Sequence, residues 1–280
     1  MKTKKALPVA FIFAGTAYAI SMGILWAKQA AILYRAPKKV FSDDQPEVIL
    51  PSSNDNPSLK GWIDGPKETS ECILYLGGSS ESVELRRESL AEVCPDMTRY
   101  FIPYRGFGPN YGEKITEKSI KEDSLKLFDL ISKKHQKVHV IARSLGTGVG
   151  LHVAANRNVA SLSLITPYDS IAAVAAEKYK VVPVRKILRD HFESWRDAPK
   201  IKDKALVCIA GLDKVISSKR WNELRKHFKV DPIEELFVEC NHSDIAQCKD
   251  MWNRIAKHIK EHKNSYINNY NTENKRQNSI

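Results

Sequence analysis

The sequence predicts an α/β protein whose central sheet is mostly parallel and is covered by helices on both faces. Short apolar runs alternate with amphipathic stretches of helix length from about residue 60 to the last helix. The chain has 280 residues, of which 42% are hydrophobic and 28% charged, enough for one large domain with a substantial core. It has only 13 glycines and 13 prolines, which excludes collagen-like and low-complexity chains.

The predicted strands are short and apolar, and the predicted helices have amphipathic spacing. Strands are expected at 59–63, 72–76, 98–103, 137–141, 159–165, 205–210 and 235–238, and helices at 83–94, 115–134, 146–156, 217–227 and 248–263. Where helices separate strands in this way, neighbouring strands run parallel. Functional residues are then expected beyond the carboxyl ends of the strands.

The basic residues of the chain are concentrated at its start. The formal net charge is +11, but residues 1–40 contain seven basic residues and no acidic one. The rest of the chain is close to charge balance, which disfavours a nucleic-acid partner. Residues 6–27 are 22 residues without a charge, and at about 1.5 Å per residue they are long enough to cross a bilayer core of about 30 Å.

Two interpretations of this N-terminal segment remain open. A cleaved secretory signal would use the apolar stretch 7–16 and a small-residue site at Ala17-Tyr18-Ala19. An uncleaved anchor is favoured because apolar residues continue as far as Trp26. Basic residues before the segment place the body outside the cytoplasm, either anchored to the membrane or secreted or periplasmic after cleavage.

Four regions are therefore expected along the chain. They are a membrane anchor or signal peptide at 1–35, a linker at 36–58, the folded domain at 59–263 and a disordered polar tail at 264–280. The five cysteines show no paired spacing, so no disulfide framework is predicted. No metal-ligand spacing and no glycine-rich nucleotide motif is present, so neither a metal nor a cofactor is expected.

The clearest chemical motif lies after the predicted strand 137–141. Ala142-Arg143-Ser144-Leu145-Gly146 resembles G-x-S-x-G, with alanine in place of the first glycine, and a small-residue helix follows. In this strand-turn-helix context the serine is a candidate nucleophile on a strained turn. The alternative is a glycine-rich turn that binds phosphate, but the accompanying phosphate-binding motifs are missing.

A serine nucleophile needs a base, and the base needs an orienting carboxylate. His242 follows the last predicted strand and is the favoured base, and Asp213 follows the strand before it and is the favoured acid. Asp169 also ends a strand and is the main alternative acid, whereas Asp244 is too close to His242 in sequence. These positions predict a catalytic triad at one edge of the sheet.

An acyl-transfer site also needs N–H donors for the developing oxyanion. The amide of Leu145, directly after the candidate nucleophile, is the first expected donor. The second is the amide of Ser79, since Gly77 and Gly78 let the loop after an early strand turn its amides outward. A plain turn is the alternative for this loop.

With these motifs the sequence resembles the α/β-hydrolase superfamily over about residues 60–262. It is most similar to single-domain, N-terminally anchored bacterial serine hydrolases of the serine-peptidase-like and protein-depalmitoylase-like branch. The closer similarity is carried by LGGSSESVE at 76–84, PYRGFGPNYGE at 103–113 and the stretch 164–194. The resemblance implies that residues 105–108 pack near the oxyanion loop. This sequence departs from the branch at two positions, where it has Ala142 in place of glycine and Ser79 in place of asparagine. The site residues that it implies are Ser144 as nucleophile, Asp213 as acid, His242 as base, and the oxyanion amides of Ser79 and Leu145.

The expected function is cleavage of an ester, thioester or amide through an acyl-enzyme, with a carboxylesterase or acyl thioesterase favoured over a peptidase. The expected substrate is a small-molecule or lipid-like acyl compound. Residues 171–176 and 181–188 could line an acyl-chain site under a small lid or form an ordinary crossover. The alternative function is a catalytically silent hydrolase fold that serves as a membrane-anchored binding module.

Overall fold

The computed structural model describes residues 6–52 and 57–262. In these ranges eight strands form one sheet in the order β1-β2-β4-β3-β5-β6-β7-β8. The first two pairs, β1–β2 and β2–β4, are antiparallel and the other five pairs are parallel, which confirms the predicted mostly parallel sheet. The strands are β1 Glu47–Leu50, β2 Leu59–Asp64, β3 Glu71–Leu76, β4 Thr98–Phe101, β5 Lys137–Arg143, β6 Ser161–Ile165, β7 Leu206–Ala210 and β8 Ile233–Phe237.

Helices cover both faces of this sheet because successive strand residues point to opposite sides. Leu74 of β3 packs in a core with α3 and α4, whereas the adjacent Ile73 packs in a second core with α2 and α9. The helices are α1 Ala6–Tyr34, α2 Arg87–Val93, α3 Glu117–Ile131, α4 Leu145–Asn156, α5 Ile171–Lys178, α6 Val184–Ile187, α7 Ser194–Asp197, α8 Ser218–Arg225 and α9 249–262.

The structure differs from the predicted elements in the linker. Residues 36–58 were expected to be a linker, but they contain β1, which pairs antiparallel with β2. This strand has only four residues and lies between Pro46 and Pro51, so its apolar pattern is too short to be recognised. The predicted disordered tail, 264–280, lies outside the described residues.

The N-terminal region forms one long helix, α1, from Ala6 to Tyr34. Within 6–52 and 57–262, no helix is both long and apolar enough to span a membrane. The basic residues of the predicted anchor, at 1–5, lie outside the described ranges. The predicted location of the body outside the cytoplasm stays a prediction.

The carboxyl-terminal half of α1 packs on the domain. Tyr34 is 1% exposed, and its hydroxyl donates to Asp190 Oδ2 at 2.8 Å. Gln29 Oε1 accepts the backbone N–H of Arg189 at 2.7 Å, and the Arg189 guanidinium lies 3.7 Å from the centre of the Trp26 ring. The helix is therefore joined to the segment after α6 by side-chain contacts.

A buried histidine on α9 makes the stability of the domain depend on pH. His258 is fully buried, and burial lowers its pKa to about 3, helped by the adjacent His262. An unfolded histidine has a pKa of about 6.5, so the unfolded chain binds one more proton than the folded chain between these values. The stability that His258 contributes is complete above pH 6.5 and is lost as the pH falls.

Because of this residue, we expect the free energy of unfolding to fall by about 1.4 kcal/mol as the pH is lowered from about 5.5 to about 4.5. Denaturant unfolding of the His258→Gln variant should show a pH slope smaller by that amount than the parent chain. His227→Gln, at an exposed position, is the matched control and should keep the parent slope. Equal slopes for His258→Gln and the parent chain would show that burial does not hold His258 neutral.

Candidate active site

The turn between β5 and α4 holds Ser144 in a strained conformation. Its φ is 50° and its ψ is −120°, a region that residues other than glycine rarely adopt. The backbone N–H of Ser144 donates to Ile165 O of the adjacent strand at 2.9 Å, and Ser144 O accepts the N–H of Thr147 at 2.9 Å as α4 begins. These contacts hold the serine at the carboxyl end of β5, as in a nucleophile elbow.

The space for this turn comes from two glycines on α4. A Cβ at Gly146 would lie 2.3 Å from Leu76 O, so the first turn of α4 can approach the end of β3 only because position 146 is glycine. A Cβ at Gly150 would lie 2.6 Å from the Cβ of Ala142. The alanine that replaces the first glycine of the motif is therefore accommodated by Gly150 opposite it.

The structure brings Ser144, His242 and Asp213 together in one chain of hydrogen bonds. Ser144 Oγ lies 2.9 Å from His242 Nε2, and His242 Nδ1 lies 2.7 Å from Asp213 Oδ2. Because a carboxylate only accepts, Nδ1 carries the hydrogen and Nε2 is left to accept from the Ser144 hydroxyl. Asp213 Oδ1 also accepts the backbone N–H groups of Val215 and Ile216, both at 2.8 Å, which fixes the carboxylate.

The alternative acids have other partners. Asp169 accepts from Arg220 Nη1 at 3.0 Å, and burial raises the pKa of Asp169. Asp244 accepts the backbone N–H of Asn241 at 2.6 Å and so orders the turn that carries His242. Of the three aspartates considered from sequence, the structure therefore places Asp213 beside the histidine.

The loop after β3 passes over the serine. A Cβ at Gly78 would lie 3.3 Å from the Cβ of Ser144, and Ser79 follows directly. The N–H of Gly78 donates to Glu81 Oε2 at 2.8 Å, which fixes the turn of the loop. Leu145, the other predicted oxyanion residue, is the first residue of α4, where the helix dipole favours negative charge.

Sequence analysis missed a buried charge network beneath this loop. Arg143 Nη1 lies 3.1 Å from Glu81 Oε2, and Arg143 Nη2 donates to His242 O at 2.7 Å. The Tyr75 hydroxyl donates to Glu81 Oε1 at 3.0 Å. Burial lowers the pKa of Arg143, but the surrounding groups, chiefly the Glu81 carboxylate, together hold this pKa above its ordinary value. The signal in the sequence was a charged residue, Arg143, at the end of an otherwise apolar strand.

The segment expected near the oxyanion loop contacts it through a neighbouring residue. Arg105 forms a two-pronged pair with Asp123 of α3, with both N–O distances 2.6 Å. It is Tyr104 whose hydroxyl donates to Gly77 O at 3.1 Å, with its ring packed against Phe107. Tyr104 thus hydrogen-bonds the loop after β3, and Phe107, within the stretch 105–108 expected near that loop, packs on the Tyr104 ring.

Among the described residues, no group of three or more His, Cys, Asp or Glu side chains is arranged to hold a metal ion. The arrangement around Ser144 offers instead a hydroxyl with a histidine acceptor, a carboxylate behind the histidine, and a loop beside the serine. These are the groups that acyl transfer to a serine requires.

Comparisons with known proteins give the fold of this chain. No protein-family model matches it. An uncharacterized protein of Mycobacterium tuberculosis strain H37Rv is 26% identical over 233 residues, which cover 77% of this chain and 80% of that protein. A Pyrococcus furiosus esterase superposes with a TM-score of 0.61 at 14% identity, over 83% of this chain and 97% of the esterase. The α/β hydrolase GrgF of a Penicillium species superposes with a TM-score of 0.60 at 14% identity, over 78% of this chain and 99% of that one. With its sheet order and its strand-serine-helix turn, this chain therefore has the α/β-hydrolase fold.

Proposed function

We propose that this chain is a serine hydrolase that cleaves an ester or thioester through an acyl-enzyme on Ser144. The observation that carries the proposal is the continuous hydrogen-bond chain from Ser144 through His242 to Asp213. The likeness to a structure named an esterase supports it. An ester or thioester is favoured over a peptide because most of the surface of the cavity that Ser79 borders is apolar.

In the first half of the reaction, Ser144 Oγ attacks the acyl carbonyl carbon while His242 Nε2 accepts the hydroxyl proton. The carbonyl oxygen becomes an oxyanion, which accepts hydrogen bonds from the amides of Ser79 and Leu145. When the tetrahedral intermediate collapses, His242 donates its proton to the leaving alcohol or thiol. Asp213 keeps the imidazole in its orientation and stabilises its positive charge in both steps.

In the second half, a water molecule attacks the acyl-enzyme carbonyl and His242 Nε2 accepts its proton. The second tetrahedral intermediate uses the same oxyanion amides. Its collapse breaks the bond to Ser144 Oγ, which regains a proton from His242, and the carboxylic acid leaves. The strained backbone of Ser144 serves this cycle because it keeps Oγ at the carboxyl end of the sheet, in reach of His242.

Removal of the nucleophile tests the proposal directly. The parent chain should react with a fluorophosphonate probe and hydrolyse 4-nitrophenyl butyrate, and Ser144→Ala should lose the labelling and at least about 10³-fold of the rate. Ser79→Ala is the matched control, because the proposal uses its backbone amide and not its hydroxyl, and it should keep both signals. Equal labelling of the parent and Ser144→Ala would contradict a nucleophile at position 144.

The Arg143–Glu81 pair should act as a positioning device. Arg143→Met leaves Arg86, whose Nε lies 3.6 Å from Glu81 Oε1, as the cation beside Glu81 and frees His242 O, so we expect stability to fall by about 1–3 kcal/mol. We also expect kcat to fall by about 10² while KM for a short ester changes little, since the catalytic groups move and the substrate contacts do not.

The double variant Arg143→Met with Glu81→Gln separates the two effects. Both charges are then removed, so most of the lost stability should return in denaturant unfolding. The kcat should stay low, because the carbonyl of His242 still has no guanidinium to hold it. If kcat recovers together with stability, the pair has a structural role only.

A further inference from the structure

We propose that α1 forms one side of a binding site for the acyl chain of the substrate, opposite α5 and α6. This inference rests on the proposed function and names its substrate class as a linear medium-to-long acyl ester or thioester. It gives an apolar N-terminal helix a role in substrate selection.

The site is a cavity of about 510 Å³ that lies between α1 and the stretch 171–188, which contains α5 and α6. Leu25, Ile32 and Leu33 of α1 line one side, and Val174 of α5 and Ile187 of α6 line the other. The size is typical of sites for small organic ligands. Sequence analysis expected residues 171–176 and 181–188 as one apolar side; the opposite side comes from the helix that was expected in the membrane.

The cavity borders the loops beside the reacting atoms. Ser79, the proposed oxyanion residue, lies at its lining, and so does Val215, whose backbone N–H donates to the Asp213 carboxylate. An ester bound with its carbonyl carbon at Ser144 would extend its acyl chain past Ser79 into this space. The polar end of the cavity and its apolar body match a carbonyl group followed by a hydrocarbon chain.

Polar contacts from its middle onward hold α1 in place beside this space. Tyr18, near the middle of the helix, donates its hydroxyl to Val181 O at 3.0 Å, and Tyr34, at its carboxyl end, donates to Asp190. Between them, Gln29 accepts the N–H of Arg189 and donates to Ile187 O at 3.3 Å. Leu33 also packs against the core, so the position of the helix does not depend on a ligand in the cavity.

A hydrocarbon chain is the occupant that this chemistry favours. Each methylene that leaves water for an apolar site should raise kcat/KM by about fourfold, until the cavity is filled. A peptide would place amide groups against the apolar part of the lining, where each group left without a hydrogen bond weakens binding. The site should therefore select for chain length and discriminate little between leaving groups.

The test compares 4-nitrophenyl butyrate and dodecanoate on the full chain with two tryptophan variants of α1. Leu25→Trp fills the cavity, and Ile24→Trp, at the adjacent and exposed position, is the matched control. We expect the parent chain and Ile24→Trp to have a higher kcat/KM for dodecanoate than for butyrate. In Leu25→Trp the ratio of kcat/KM for dodecanoate to kcat/KM for butyrate should fall at least tenfold. Equal ratios in all three proteins, or no preference for dodecanoate in the parent, would overturn the inference.

A binding experiment separates this inference from the proposed function. The Ser144→Ala chain should bind dodecanoic acid in a calorimetric titration, and Leu25→Trp in the same background should weaken that binding at least tenfold. If the parent chain hydrolyses no ester but Ser144→Ala binds dodecanoic acid in a way that depends on Leu25, the proposed function is wrong and the acyl-chain site stands. If the parent chain hydrolyses 4-nitrophenyl butyrate but Ser144→Ala does not bind dodecanoic acid, the proposed function stands and the acyl-chain site is wrong.

Discussion

The buried ion pair between Arg143 and Glu81 connects the three loops from which the site is built. Arg143 ends the strand that delivers Ser144 and donates to the carbonyl of His242, while Glu81 accepts from Gly78 in the loop over the serine. Two buried charges contribute little net stability, because their desolvation offsets their attraction. What the pair provides is geometry: the end of β5, the turn that carries His242 and the loop after β3 cannot shift independently of one another.

Much of the fold followed from the sequence because the strands from β3 onward are mostly short apolar runs and the connections between them are long enough for helices. The candidate triad was predicted in a similar way. The carboxyl ends of parallel strands lie at the same edge of the sheet, so Ser144, Asp213 and His242 were expected to meet there. The choice between Asp213 and Asp169 depends on contacts distant in sequence, such as the one between Asp169 and Arg220, 51 positions apart. The Arg143–Glu81 pair was missed because a local pattern shows a buried charge without showing its partner.

The helix α1 shows a second limit of sequence reasoning. An uncharged apolar stretch is suited equally to lipid, to a protein surface and to a hydrocarbon ligand, since the hydrophobic effect is not directional. Among the residues that join α1 to the domain are Gln29 and Tyr34, near its carboxyl end, and their partners lie more than 150 residues away. A pattern of hydrophobicity can identify the helix, but only the fold of the rest of the chain identifies what it packs against.

This separation in sequence has a consequence during synthesis. The contact between Tyr34 and Asp190 spans 156 residues, so α1 leaves the ribosome long before its partners exist. At about 5–20 residues per second, this interval is roughly 8–30 s. Over that time the strands β1 to β6 are made, and β3 can pair with β5 without α1. The helix is thus made well before the residues on which its carboxyl-terminal half packs.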